Sequence, residues 1–248
     1  MLIMMMNPNS SEPDLVSTVE EIRERLTKFD VRHYNAEYTI PEGFVSASVL
    51  VPLFIKDGQI DVLLTLRAKH LRSHAGLVAF PGGHVDETDQ SVVETALREA
   101  EEEIGLPAKD VDVLTVLPPC FVRPNKFVSL VVGIIPANFE PVLNESEVSK
   151  AFSLPLKRFL KEDVKKEFPL NGIVHWLFFF HDIVDGEKIE TWGFTGMYCM
   201  LIGLALTTSD LTIEVSKGIY VNKDSVFQEK RTYEDFLRWT TALRNAKL

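Results

Sequence analysis

The sequence predicts an α/β fold, a sandwich of helices around a mixed sheet and not a doubly wound one. Three observations carry this. Strand-like segments come in runs joined by tight turns, with few helices long enough to cross a sheet. The 248 residues are 46% apolar and include sixteen Phe and three Trp, enough for the core of one large domain with extensions. One amphipathic segment, Gln90–Ile104, follows a Gly pair and ends at Gly105, with Pro107 just beyond.

The elements follow in order. Residues Pro13 to Asp30 read as an amphipathic helix, because Leu15, Val19, Ile22, Leu26 and Phe29 recur at spacings of four and three. Residues Asp30–Glu42 read as a linker. Val45–Ile55 and Ile60–Leu66 are strands joined by a hairpin turn at Lys56–Gln59. Leu77–Phe80 is a short strand ending at Pro81-Gly82-Gly83. After the helix come strands at Val111–Leu117 and Phe127–Ile135, separated by the loop "PPCFVRPNK". Phe152–Leu156 and Val174–His181 are further strands, with a short helix "LKRFLKED" between them and a turn at Val184–Lys188. Phe194–Leu206 is a buried helix and Tyr233–Arg244 a terminal amphipathic one. The division is an N-terminal extension over 1–36, a main domain over 37–222 and a C-terminal helix and tail over 223–248.

The charge narrows the function. With 36 acidic and 26 basic residues, the net charge is −10. This argues against a general nucleic-acid partner, which needs a basic surface. An anionic substrate must then be received by a local basic patch or by a metal. Cys120 and Cys199 are the only cysteines, so at most one disulfide exists, and two small buried thiols are expected. The start, "MLIMMMNPNSSEPD", lacks the basic region and the apolar length of a secretory signal. The most apolar window, Phe194–Leu206, is 13 residues long and too short to span a bilayer, so no membrane partner is expected.

Glu99, Glu101, Glu102 and Glu103 crowd like charges into the Gln90–Ile104 helix. At about 100° per residue, Val93, Leu97, Ala100 and Ile104 share one face, read as the core face. Glu99, Glu102 and Glu103 form a wedge on the other side, while Glu101 points elsewhere. Glu94 and Arg98 stand at i,i+4 spacing and can pair. Convergent carboxylates are costly unless a cation sits among them, and a hard divalent ion with oxygen ligands, Mg²⁺ or Mn²⁺, suits them. The alternative from the wheel alone is a solvated acidic face.

The wider spacing resembles a known family. Gly83, Asp89, Arg98-Glu99, Glu102-Glu103 and Gly105 follow the Nudix box, G-x5-E-x7-R-E-U-x-E-E-x-G-U, where U is aliphatic. Asp89 stands where the first Glu is usual, and eight residues separate it from Arg98. Upstream, "LLTLRAKHLRSHAGLVAFPGG" fits L-L-T-x-R-[SA]-x3-R-x3-G-x3-F-P-G-G. This resembles the peroxisomal coenzyme A diphosphatase branch of the Nudix hydrolases, as do "TWGFTG" at Thr191–Gly196 and "NESEVSKAFSLPL" at Asn144–Leu156. His84 departs from it, standing where that branch more often has Lys.

The resemblance implies a Nudix-type α/β/α sandwich and metal-dependent hydrolysis of the diphosphate of coenzyme A or acyl-CoA. The products would be 3′,5′-ADP and 4′-phosphopantetheine or its acyl form. Glu99, Glu102 and Glu103 become metal ligands, with the Gly82 or Gly83 carbonyl as a further one, since Gly allows close backbone approach. Glu147 is a general base or additional ligand, or a solvated loop acid. Arg98 holds the loop through Asp89, while Gly83 and Gly105 shape the backbone. Arg67 and Arg72 are candidates for the coenzyme's phosphates. His74 and His84 are near in sequence and read as bystanders. Ala246-Lys247-Leu248 resembles a peroxisomal address, with the import receptor as partner. Two other functions stay open: a Nudix hydrolase of another nucleoside diphosphate derivative such as ADP-ribose or NADH, and a catalytically inactive coenzyme A-binding module.

Overall fold

The computed structural model describes residues 13–33, 40, 43–71, 73–122, 125–170 and 172–227. The terminal helix expected at Tyr233–Arg244, the tripeptide Ala246-Lys247-Leu248 and Arg72 lie outside the described residues.

Helix α1 (Val19–Leu26) starts with a capping box. Thr18 accepts from the Glu21 N–H, and the Glu21 carboxylate accepts from Thr18 in return. The helix is shorter than its apolar spacing predicted. Upstream, Leu15 forms a bridge with Thr207, and the Val16 N–H donates to the Leu206 carbonyl. Leu15 is therefore apolar and buried without being helical. Single 3-10 turns follow at Thr27–Phe29 and Val31–His33. Asp30, expected to open a linker, is fully buried and paired with Arg32.

Next come β1 (Val45–Lys56), β2 (Gln59–Arg67), β3 (Val78–Ala79), β4 (Gly82–His84), α2 (Val92–Ile104), β5 (Asp112–Val122), β6 (Lys126–Ile134) and β7 (Val148–Pro155). After a 3-10 turn at Leu156–Leu160 the chain adds β8 (Val164–Leu170), β9 (Ile173–Val184), β10 (Glu187–Trp192), α3 (Gly193–Leu206), β11 (Thr212–Ser216) and β12 (Ile219–Asn222).

Strands β1 to β7 form a seven-stranded sheet ordered β3-β2-β1-β6-β5, with β4 on β1 and β7 on β2. The β1–β6 pair is parallel and the others are antiparallel, so the sheet is mixed, as expected. The second sheet runs β10-β9-β11-β12 with β8 on β9. The sequence reading missed β4, β8, β10, β11 and β12. It also ended β5 too early. Pro118 and Pro119 do not break that strand, because bulges between Leu117 and Cys120 absorb them.

Alternation along β1 sorts two cores. Leu50 and Phe54 face α2, where they meet Ala96, Ala100 and Ile104. Val51 and Leu53 face the larger core, which takes in α3, α1 and the second sheet. Helix α3 is apolar all round and buried accordingly. No helix among the described residues is long and apolar enough to cross a membrane. Cys120 and Cys199 are free thiols.

Candidate active site

The site grows from a change of partner along one edge of β1. Strand β2 pairs with β1 from Lys56–Gln59 only as far as Leu53–Val62. Beyond that, β4 takes the place of β2, setting His84, Gly83 and Gly82 against Ala47, Ser48 and Val49. The segment between folds back on the end of β2. The Arg67 N–H donates to Leu77 O at 3.0 Å, and the Gly76 N–H donates to Arg67 O at 3.1 Å. Helix α2 packs over this splay, against β1 and β4.

Two glycines make that approach possible. Gly82 has φ 153°, and a Cβ there would lie 2.4 Å from the Ser48 carbonyl oxygen and 2.6 Å from Val49 Cα. At Gly83 a Cβ would meet the Glu99 carboxyl group at 2.5 Å. The space beside Gly83 thus belongs to the Glu99 carboxylate.

Helix α2 is capped by Ser91, which accepts from the Glu94 N–H at 3.2 Å. The Glu94 carboxylate accepts from the Gln90 N–H at 2.7 Å. The Glu94–Arg98 pair expected from the wheel is therefore not made. Arg98 turns to Asp89 instead, with Nε 3.0 Å from Oδ1 and Nη2 2.9 Å from Oδ2. It also donates to the His84 carbonyl at 3.1 Å. Asp89 further accepts from the Asp86 N–H and the Thr95 hydroxyl, each at 2.9 Å. These donors, Arg98 foremost, hold its carboxyl far below the usual carboxylate range. Gly105 then ends α2 in the left-handed conformation at φ 68°.

The carboxylates do converge, but the wheel set the helix in the wrong phase. Its buried residues are Thr95, Ala96, Ala100, Glu103 and Ile104, while Val93 and Leu97 are half-buried. The wedge borders the core face and does not oppose it. Glu103 is consequently buried, its side chain 2% exposed. Its Oε2 accepts from the Gly82 N–H at 3.1 Å, and its Oε1 stands 3.6 Å from Arg67 Nη1. Burial pushes its carboxyl up to about 7, against the opposing pull of Gly82 and Arg67. Burial also raises Glu99, which meets Arg98 at 3.1 Å. Glu102 is exposed and lies 3.3 Å from Arg98. Glu101 is exposed as well.

Glu147 joins from another part of the chain. The loop before β7 is tied to α2 by the Val142 and Asn144 N–H groups, which donate to Ile104 O and Glu103 O at 2.9 and 3.0 Å. The Ala68 N–H donates to Glu147 O at 2.8 Å. This brings the Glu147 charge close enough to raise both Glu99 and Glu103.

Glu99, Glu103 and Glu147 act on one another electrostatically and Glu102 shares Arg98 with Glu99, a donor set whose chemistry suits a hard divalent cation. Among the described residues, though, no three His, Cys, Asp or Glu side chains are grouped so that they could hold a metal ion. The reason is visible: Arg98 draws Glu99 and Glu102 to itself, and Gly82 with Arg67 holds Glu103. The fit rests on the carboxylate lodged against Gly83 and on the buried, poorly compensated Glu103.

The structure thus brings together Arg67, Gly82, Gly83, Asp89, Arg98, Glu99, Glu102, Glu103, Gly105 and Glu147. Lys126, read from the sequence as the end of the proline-rich loop, is the first residue of β6.

The NUDIX domain family model matches residues 44–177. Over 147 residues the chain is 42% identical to the uncharacterized Nudix hydrolase NudL of Escherichia fergusonii, covering 59% of this chain and 70% of that protein. It is 48% identical over 120 residues to the protein of the same name from Shigella flexneri, covering 48% of this chain and 62% of that one. Among solved structures, a C. elegans Ap4A hydrolase binary complex is similar at 20% identity and TM-score 0.39, over 46% of this chain and 81% of that one.

Proposed function

The chain belongs to the NUDIX domain family and is a hydrolase of a nucleoside diphosphate derivative, and on that premise we propose coenzyme A and its acyl thioesters as the substrates. The products on this reading are 3′,5′-ADP and 4′-phosphopantetheine or its acyl form. One observation carries the proposal. The segment that resembles the coenzyme A diphosphatases, Leu63–Gly83, supplies the wall of the carboxylate site and delivers Arg67 to within 3.6 Å of Glu103.

Glu99, Glu102 and Glu103 would hold Mg²⁺ or Mn²⁺, with the Gly82 or Gly83 carbonyl beside them. Bound there, the cation supplies charge neutralisation for the diphosphate and lowers the pKa of a bound water. Arg98 and Asp89 fix the loop and the helix in register, so that the carboxylates need not reorganise during the reaction. Arg67 offers a cation to a diphosphate oxygen. On this reading Glu147 takes a proton from the attacking water as the water's oxygen bonds to phosphorus and the bridging P–O bond breaks.

Incubating pure protein and Mg²⁺ with coenzyme A, ADP-ribose and NADH in parallel, followed by product analysis, tests the reading. Coenzyme A should be consumed fastest, and 3′,5′-ADP should accumulate in step with 4′-phosphopantetheine. Faster turnover of ADP-ribose or NADH would move the enzyme to another nucleoside diphosphate substrate.

A further inference from the structure

Strand register places a second charged group beside the site, on the other side of β4. Lys126 pairs with Val45, Val128 with Ala47, and Ala47 in turn with His84. Residues in register share a face, so Lys126 and His84 stand on one side of the sheet. Leu130 and Val132, two and three pairs further along that row of β6, belong to the core opposite α2. Gly83 and Ser48 have the other parity, and Ser48 donates to the Val92 carbonyl at the start of α2 at 2.6 Å. Lys126 and His84 therefore face away from α2, across the thin rim that β4 makes.

The Lys126 ammonium is poorly compensated. Among the described residues its side chain makes no hydrogen bond or ion pair, although the residue is half-buried. Burial first, and then the Arg67 charge, lowers its ammonium below the usual lysine range. Burial and the charges of Lys126 and Arg67 likewise lower His74 and His84. His74 is itself held at φ 54°, a left-handed conformation uncommon for non-glycine residues, by the turn in which the Leu77 N–H donates to its carbonyl. A chain of net charge −10 thus sets two cations, Arg67 and Lys126, close enough to act on one another and on His74 and His84, and among the described residues Arg67 is paired with Glu103 while Lys126 has no ion pair. Keeping two like charges together and partly out of water is unfavourable unless they receive an anion.

We infer that Lys126 holds a second phosphate of the substrate, a monoester on the ribose next to the diphosphate, and so selects substrates that carry one. This deepens the proposed function and rests on it for the identity of the substrate. The geometry fits a group of that size. With strands about 4.8 Å apart and two residues of rise between their partners on β1, the Lys126 and His84 backbones are separated by roughly 12 Å on one face of the sheet. Arg67 links the two places, standing 3.6 Å from Glu103 while its charge acts on Lys126. An ammonium on a flexible stem suits a phosphate dianion as a point charge.

The test separates Lys126 from the reaction. Metal-free protein is titrated by calorimetry with adenosine 3′,5′-bisphosphate and with 5′-AMP. The wild type should prefer the bisphosphate by about ten- to a hundredfold, the range of one charge-assisted hydrogen bond. Lys126→Met keeps the aliphatic stem and should erase that preference while leaving the affinity for 5′-AMP within about twofold. Lys126→Arg should restore most of it. Persistence of the preference in Lys126→Met, equal weakening of both ligands, or no preference in the wild type would each overturn the inference. Turnover of coenzyme A and dephospho-coenzyme A is measured alongside. If the wild type leaves coenzyme A intact while the bisphosphate preference depends on Lys126, the substrate reading falls and the phosphate site stands. If coenzyme A is hydrolysed and Lys126→Met still favours it over the dephospho form, the site falls and the substrate reading stands.

Discussion

Arg98 grips Asp89 with two nitrogens, Nε at 3.0 Å and Nη2 at 2.9 Å, and the carboxylate it grips is 2% exposed. Breaking this pair removes two charge-assisted hydrogen bonds, but Arg98 is 28% exposed and keeps Glu99 and Glu102 as partners. Asp89→Ala should therefore destabilise the protein by about 1.5–3 kcal/mol in urea unfolding. The pH dependence follows from the depressed Asp89 carboxyl. Its contribution is complete above the unfolded value near ~3.9 and fades as pH falls toward the lower folded value. Asp89→Asn should lack that acid-limb component. An unchanged acid limb in Asp89→Asn would show that the pair does not set it.

Glu103 works in the opposite sense. Its folded carboxyl lies near 7, above an unfolded value of roughly 4.3. Between those values the folded protein holds the extra proton, so metal-free stability should fall as pH rises from about 4.3 to 7. Glu103→Gln should flatten that slope and raise stability at pH 8 by on the order of 1–3 kcal/mol, while turnover is lost. Mg²⁺ binding to the wild type at pH 7 should release about half a proton, visible as buffer-dependent heat. Heat that is independent of the buffer would count against a raised Glu103.

Neighbouring glycines should fail differently. Gly82→Ala puts a Cβ 2.4 Å from backbone oxygen at a positive φ, so the fold itself must give, and soluble yield and melting temperature should drop. Gly83→Ala meets the end of a side chain first, the Glu99 carboxyl at 2.5 Å. The protein should fold, bind Mn²⁺ more weakly and lose about tenfold or more in kcat/KM. Equal melting-temperature losses in the two variants would contradict this division.

The helix face gives a sharper comparison. Glu102 is exposed yet paired with Arg98, and Glu101 is exposed on another side. Glu102→Gln should lower kcat by about a hundredfold or more with little change in melting temperature, and Glu101→Gln should be nearly silent. Comparable losses in both would dissolve the argument that one flank of α2 forms the site.

Much of this was legible in the sequence, and the failures have physical causes. The box residues came from their resemblance to the Nudix pattern, and the helix stop from Gly105 with Pro107 just beyond. The phase of α2 did not, because the wheel was anchored on Val93 and Leu97, and both are only half-buried. The loop tied to Ile104 O and Glu103 O covers the last turn from the side, and no local pattern announces it. Strands β8 and β10 were missed because "VKKEFPL" and "EKIETW" alternate charge with apolar residues on a half-solvated sheet, which reads as turn and loop. Asp30 was read as linker because its burial depends on Arg32 and on packing beneath β5.

Arg67 decides between two readings of the upstream motif. The sequence alone makes it a candidate for any phosphate of the coenzyme. The structure sets Nη1 3.6 Å from Glu103, at the carboxylates, where a diphosphate and not a peripheral phosphate would lie. Arg67→Ala should therefore lower kcat/KM for coenzyme A and dephospho-coenzyme A by the same factor, about tenfold or more. Losing this cation leaves Glu103 buried with one fewer compensating group, so its carboxyl should rise further. The ascending limb of the pH–rate profile should move to higher pH. Arg67→Lys, which keeps the charge, should move it less. A loss confined to coenzyme A, with the limb in place, would instead make Arg67 the reader of the additional phosphate and displace Lys126 from that role.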